Sequence, residues 1–348
     1  MPASQSRHLP GDPAPASAPL AESKAIQQET GATFHLATRL LPERVRHPTY
    51  VLYAFFRVTD DVVDDPDPGS PADQRAALGR IHAAALGHRE ADDPVLRAVR
   101  RLVEDVEIPD AEFDAFVEAM ARDVEASDYA DHAELSTYLR GSSVAVANML
   151  LEVMAPADVA AARPHARALA EAFQLTNFLR DVREDVRAYD RVYLPAASLA
   201  REDLTTDDVR ALEPSPSLRR VIRHELRRTE ELYREGVAGI QHLPDACQFG
   251  VLAAATLYAE HHRLIRARGF DTVSGRPSLS TARRLWVLAR TWLAWQRTDD
   301  PETAFYRASA VPSSAESPVP VARRRDWPAR LRAGSTAGLA GLLPWVGE

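Results

Sequence analysis

Residues 171–195, "EAFQLTNFLRDVREDVRAYDRVYLP", read as one helix with an unusual stripe. Asn177, Asp181 and Asp185 fall at i, i+4 and i+8, so three oxygen-bearing side chains line one face. Gln174 lies one turn before them, and Arg180, Arg183, Arg187 and Arg191 are interleaved. Phe173, Leu175, Phe178, Leu179 and Val182 supply apolar cover for the other sides. Taken alone, the stretch fits either an exposed helix laced with ion pairs (Asp181 with Arg180, Glu184 with Arg187) or a face that holds a ligand.

Outward from this stretch the helical pattern continues nearly throughout. Apolar residues recur at three- and four-residue spacing in 73–86, 110–124, 218–240 and 283–296, and alternating strand runs bounded by hairpin turns do not occur. The expectation is an all-α domain over residues 22–300, with more helices than a four-helix bundle. Residues 1–21, rich in Pro, Ala and Ser, read as a disordered tail, and 301–348 as a linker and C-terminal tail.

Composition narrows the function. A net charge of −8 argues against a nucleic-acid surface. A single cysteine, Cys247, permits no intrachain disulfide and fits a reducing cytoplasm. The proline-rich N-terminus is no signal peptide, and no run of 18 apolar residues exists to span a membrane. Peripheral membrane contact stays open, because "ARRRDWPARLRAGSTAGLAGLLPWVGE" (322–348) mixes basic, tryptophan and apolar residues.

A second acidic cluster closes residues 50–68, "YVLYAFFRVTDDVVDDPDP". Asp60 and Asp64 share one helical face, and Asp61 and Asp65 form a second pair rotated by about 100°. Pro66 disfavours helix at Asp65, so the helix is expected to end near Asp64. The aspartates then stand at the negative end of the helix dipole, at a cost of about 0.3–1 kcal/mol per charge. A solvated acidic helix end is one reading. Against it stand the apolar run from Tyr50 to Phe56 before the cluster and Arg57 three residues ahead of Asp60. A divalent cation such as Mg2+ would cancel these penalties. Two such helices facing each other across a cavity would hold cations and a diphosphate between them, and stabilise negative charge on a departing diphosphate.

With both motifs in place, the sequence resembles the head-to-head prenyl synthases of the squalene and phytoene synthase type. The resemblance rests on "LLPERVRHPTYVLYAFFRVTDDVVDD" and "QLTNFLRDVREDVRAYDRVYLP" and extends over about 25–295. It implies an isoprenoid-synthase-type helical domain around an apolar cavity. It also implies metal-ligand roles for Asp60, Asp64, Asn177, Asp181 and Asp185, and diphosphate contacts for Arg57, Arg180, Arg191 and Arg276. Tyr53, Gln174, Tyr193 and Tyr258 match positions near the reacting centre. The implied cofactor is Mg2+, with Mn2+ as a substitute.

The implied reaction joins two geranylgeranyl diphosphates into phytoene through a cyclopropylcarbinyl diphosphate. The alternative is a squalene or dehydrosqualene type using farnesyl diphosphate, with NADPH where the product is squalene. A class I terpene cyclase is a more distant rival, since it usually carries Ser or Thr and then Glu where this chain has Asp181 and Asp185. The sequence departs from the family at Ser142–Ala147, "SSVAVA", where many members carry glycines. Prenyl length and oligomeric state stay open.

Overall fold

A computed structural model describes residues 23–27, 32–65, 67, 69–125 and 128–314. The expected tails at 1–21 and beyond 314 lie outside the described residues. Among the described residues the chain is all-α, and the sole β feature is an isolated bridge between Asp128 and Val192. In chain order the helices are α1 (Ala32–Thr38), α2 (Glu43–Val63), α3 (Pro71–Ala85), α4 (Pro94–Val106), α5 (Asp110–Asp123), α6 (His132–Leu139) and α7 (Ala145–Met154). They continue with α8 (Val159–Tyr189), α9 (Ala196–Ala200), α10 (Thr206–Arg210), α11 (Pro216–Ala238), α12 (Asp245–Ala267), α13 (Thr281–Thr298) and α14 (Pro301–Ala308).

Local chemistry sets the boundaries. α3 begins in a capping box between Ser70 and Asp73 with Pro71 at its first position, and α11 begins with Ser215 capping Leu218 N–H ahead of Pro216. α2 ends where the Asp64 N–H bonds to the Asp60 carbonyl, as the spacing before Pro66 predicts. α8, 31 residues and about 46 Å long, starts on the Asp158 side-chain cap and stops at Asp190, whose φ of 52° breaks the helix.

Between α6 and α7 the helix widens into a π-turn at Arg140–Val144, closed by the Ala145 N–H on the Arg140 carbonyl. Gly141 lies in it, and a Cβ there would stand 2.2 Å from the Ala115 carbonyl oxygen of α5. Gly141 thus supplies a close helix approach just ahead of 142–147, the segment without glycine.

α8 is the central element, packed along α11 and against α7 and α12. A main apolar core runs from α2 through α5, α7 and α8 to α14, and a smaller one gathers Leu179, Val182, Leu199, Ile222 and Leu226 under the end of α8. The packed domain also extends beyond the boundary expected at 300. α14 buries Ala304, Phe305 and Ala308, with Phe305 stacked on Tyr233 of α11 at 5.9 Å, and Val311 is buried after it. Proline-rich composition around 308–328 masked this last apolar face.

Candidate active site

α2, α5, α7, α8 and α12 enclose a cavity of about 560 Å3, within the usual range of ligand sites. Along α8 its lining passes from Ala162, Ala166 and Leu169 through Phe173 and Asn177 to Asp181 and Asp185. One helix thus carries the wall from an apolar end to a charged end, about 35 Å apart. α2 repeats the gradient, from Thr49 and Tyr53 to Arg57, Asp60 and Asp64.

Twelve of the sequence-predicted residues line this cavity: Tyr53, Arg57, Asp60, Asp64, Gln174, Asn177, Arg180, Asp181, Asp185, Arg191, Tyr193 and Tyr258. Arg276 is absent from the wall but reaches the same group, donating from Nε to Asp181 Oδ1 at 2.7 Å and from Nη2 to Oδ2 at 3.0 Å. Arg180 grips the same carboxylate, with Nε at 2.6 Å from Oδ1 and Nη2 close to Oδ2. The adjacent pairing of a surface ion-pair helix therefore does occur, but at the wall of a cavity. Arg183, on the next position of the motif, donates to the Val273 carbonyl at 2.6 Å and ties down the loop that carries Arg276.

The two acidic helix ends are joined directly. Arg191 Nη1 lies 3.1 Å from Asp64 Oδ1, and its Nη2 donates to the Asp123 carbonyl at 3.2 Å. Arg57 pairs with Asp61 at 2.5 Å rather than with Asp60, which gives the rotated, more exposed aspartate an anchoring partner. Burial, reinforced by the charge of Asp64, raises Asp60 to about 7. Burial and then the charge of Asp181 raise Asp185 to about 8.

Aromatic rings occupy the middle of the cavity. Phe178 and Tyr193 stack at 3.8 Å, Tyr258 stacks on Phe173 at 4.5 Å, and Tyr53 on Phe34 at 5.6 Å. Such faces offer negative potential to a cation.

Two features escaped the sequence reading. Asp123, the last residue of α5, lines the cavity and accepts the Tyr138 hydroxyl on Oδ2 at 2.6 Å, while its buried Oδ1 has no partner. Burial holds it at about 6 despite the charge of Arg191. Its signal was present, because Phe113, Phe116, Met120 and Asp123 share one helical face and put a carboxylate on the side destined for the core. Behind Asn177, a buried chain runs from Glu230 Oε1 to His262 Nδ1 (3.3 Å), from His262 Nε2 to Thr176 Oγ1 (2.9 Å), and on to the Tyr233 hydroxyl (3.1 Å). Nothing in the local sequence flagged that network, because its members come from three helices.

No group of three or more His, Cys, Asp or Glu side chains surrounds one point among the described residues. The donor set is nevertheless compatible with a hard divalent cation. Two carboxylates with raised pKa values lack full charge compensation, and the buried Asn177 Oδ1 has no partner. Mg2+ commonly takes one or two carboxylates and completes its shell with water and phosphate oxygens.

The all-α domain thus encloses a cavity mostly apolar toward one end and crowned at the other by paired aspartates and arginines. The squalene/phytoene synthase family pattern matches residues 27–283, and the chain belongs to that family. It is 34% identical over 266 residues to a phytoene synthase of Rhodobacter capsulatus, covering 74% of this chain and 76% of the relative. It is 31% identical to a phytoene synthase of Thermus thermophilus, over 78% and 91% of the two chains. Among solved structures, a dehydrosqualene synthase superposes with a TM-score of 0.72 at 24% identity, covering 80% of this chain and 97% of the other. Squalene synthase HpnC from Alicyclobacillus acidocaldarius gives 0.65 at 24% identity, covering 73% and 95%. At those identities the two structures speak for the fold. No helix among the described residues is long and apolar enough to cross a membrane.

Proposed function

We propose that this chain is a phytoene synthase, joining two geranylgeranyl diphosphates head to head through a cyclopropylcarbinyl diphosphate. The observation that carries the reading is the meeting of the two acidic helix ends, through Asp64 and Arg191, at the charged end of an apolar cavity. The C40 product is favoured by the phytoene synthase relatives of R. capsulatus and T. thermophilus.

In this reading Arg57, Arg180, Arg191 and Arg276 hold diphosphate, as guanidinium forks suit phosphate oxygens. Asp60, Asp64, Asn177, Asp181 and Asp185 would hold Mg2+, which supplies Lewis-acid stabilisation of negative charge on the departing diphosphate. Two of these assignments require a partner exchange, because Asp181 is occupied by Arg180 and Arg276, and Asp64 by Arg191. Diphosphate would draw the arginines off the carboxylates and free the oxygens.

Loss of diphosphate from one chain leaves an allylic cation. The double bond of the second chain attacks it, and proton loss closes a three-membered ring. A second ionisation opens that ring and forms the bond between the two C1 atoms. A last proton loss creates the central double bond, with released diphosphate as the proton acceptor. The Phe178–Tyr193 and Phe173–Tyr258 stacks line the path of the cation, and the apolar wall from Phe173 to Ala162 excludes water that would trap it.

Product analysis tests the reading. Geranylgeranyl and farnesyl diphosphates are supplied separately with Mg2+, each with and without NADPH. Phytoene from the C20 substrate, independent of NADPH, is expected. Turnover of farnesyl diphosphate alone would move the assignment to the squalene or dehydrosqualene type, and a cyclic product from one substrate molecule would overturn it.

A further inference from the structure

The outward face of α13 is apolar where a surface helix should be polar. Val287, Thr291 and Ala294 are buried against the domain. On the opposite side Leu285, Ala289, Trp292 and Leu293 fall within an arc of about 100°, which exposed Gln296 closes at the C-terminal end of the helix. Leu285 and Leu293 are 45% and 44% exposed, and Trp286 and Trp292 are half-buried beside them. The exposed large apolar side chains among the described residues are these two leucines and Tyr189, so two of them share this helix.

The borders of the apolar stripe are basic. Arg283, Arg290 and Arg297 recur every seven residues along one edge and Arg284 stands on the other, and α13 contains no Asp or Glu. Arg283 lies over the Trp286 ring at 4.0 Å and pairs with Glu260 of α12, and Arg290 donates to the Arg307 carbonyl at 2.7 Å. The arginine row is therefore held in register beside the tryptophan. Glu260 reaches the row from α12 and is taken up by Arg283, and past the helix come Asp299 and Asp300, the latter engaged in capping α14.

We infer that α13 docks on an anionic lipid surface, with Leu285, Trp292 and Leu293 in the acyl boundary and the flanking arginines at the phosphates. Charge decides between occupants. A second copy would bring four arginines against four with no carboxylate on either helix. The chain's own segment 322–332, "ARRRDWPARLR", carries the same sign. An anionic bilayer alone among these offers both an apolar layer and opposite charge, with tryptophan at the boundary between them. The inference deepens the proposed function, whose product is a lipid, but its test needs no turnover.

The full-length protein is sedimented with vesicles of phosphatidylcholine alone and of phosphatidylcholine with phosphatidylglycerol. Binding to the anionic vesicles is expected to exceed binding to the neutral ones at least about tenfold and to fall with salt. Leu285→Gln with Leu293→Gln should lower it by about tenfold or more, with thermal unfolding and activity on detergent-dispersed substrate unchanged. Wild-type vesicle binding by the double variant would overturn the inference. So would a shift from dimer to monomer on the same substitution without lipid, which would make the face a contact between copies.

Discussion

Arg191 Nη1 sits 3.1 Å from Asp64 Oδ1, a contact between residues 127 positions apart that locks the end of α2 to the segment after α8. Half-buried and also bonded to the Asp123 carbonyl, this guanidinium organises the charged end of the cavity before any substrate arrives.

Arg191→Met is therefore expected to cost turnover in two ways, by loosening Asp64 and by removing the proposed diphosphate contact. A fall in kcat/KM of about two to three orders of magnitude is expected. Arg191→Lys keeps the charge but loses the fork, and should recover only a small part. Steady-state kinetics of the two variants check this.

Asp60→Asn and Asp181→Asn should both abolish most turnover while diverging in stability. Asp60 is a poorly compensated carboxylate, so its amide should raise Tm in metal-free buffer. Asp181 is the counter-ion of Arg180 and Arg276, so its amide leaves two guanidiniums without a carboxylate and should lower Tm, at a cost of about 1–3 kcal/mol. Thermal unfolding in EDTA separates them, and equal shifts would contradict the electrostatics described here.

In the folded, metal-free protein Asp60 titrates near about 7 and Asp185 near about 8, against an ordinary 3.8. Both are acids with raised values, so the unfolded chain releases its protons first as pH rises. Their contribution to stability is accordingly lost between about pH 4 and pH 8. Tm in EDTA should fall over that window, and Mg2+ should raise Tm more at pH 8 than at pH 5.5. Asp60→Asn with Asp185→Asn should reduce the fall to the part that Asp123, raised to about 6, contributes below pH 7.

Asp123→Asn keeps an acceptor for the Tyr138 hydroxyl but removes a buried negative charge near the aromatic centre. Activity is expected to fall about tenfold or more with little change in KM for geranylgeranyl diphosphate. Tyr138→Phe, which leaves the carboxylate in place, should fall less. An Asp123→Asn enzyme as fast as wild type would confine this aspartate to a packing role.

Gly141→Ala tests the close approach of α7's entry to α5. With the Ala115 carbonyl 2.2 Å from the new Cβ, the helices must separate, at a cost of about 1–3 kcal/mol. Denaturant unfolding measures it.

Periodicity made the all-α fold legible, and Pro66 made the end of α2 near Asp64 legible, whereas the start of α2, which has no side-chain cap, and the ends of α8 were not read from the sequence. The candidate site was legible where its oxygen-bearing side chains repeat along one helix, as at Asp60 and Asp64 or Asn177, Asp181 and Asp185. Asp123 was not read, since it has no second carboxylate on its face and its signal is only its place beside Phe113, Phe116 and Met120. Its burial depends on Tyr138 and Arg191, which arrive from elsewhere in the chain. α14 escaped for a related reason. Phe305 is one buried ring in a short helix amid proline-rich chain, and only Tyr233 across the fold gives it meaning.

The π-turn at Arg140–Val144 carries a consequence for how this cavity tolerates insertions and deletions. It holds one residue more than an α-helical turn would, and that surplus sets the phase between Tyr138, bonded to Asp123, and the wall residues Val146 and Leu150. Deleting one residue inside the turn would restore α-helical winding with both flanks still in phase, whereas winding the same residues as plain α-helix would swing one side of the junction by about 100° relative to the other. In the second case either the tyrosine would leave its carboxylate or the apolar wall would turn away. The sequence could be kept whole and the cavity would still be lost, because its shape depends on one turn that absorbs a surplus residue.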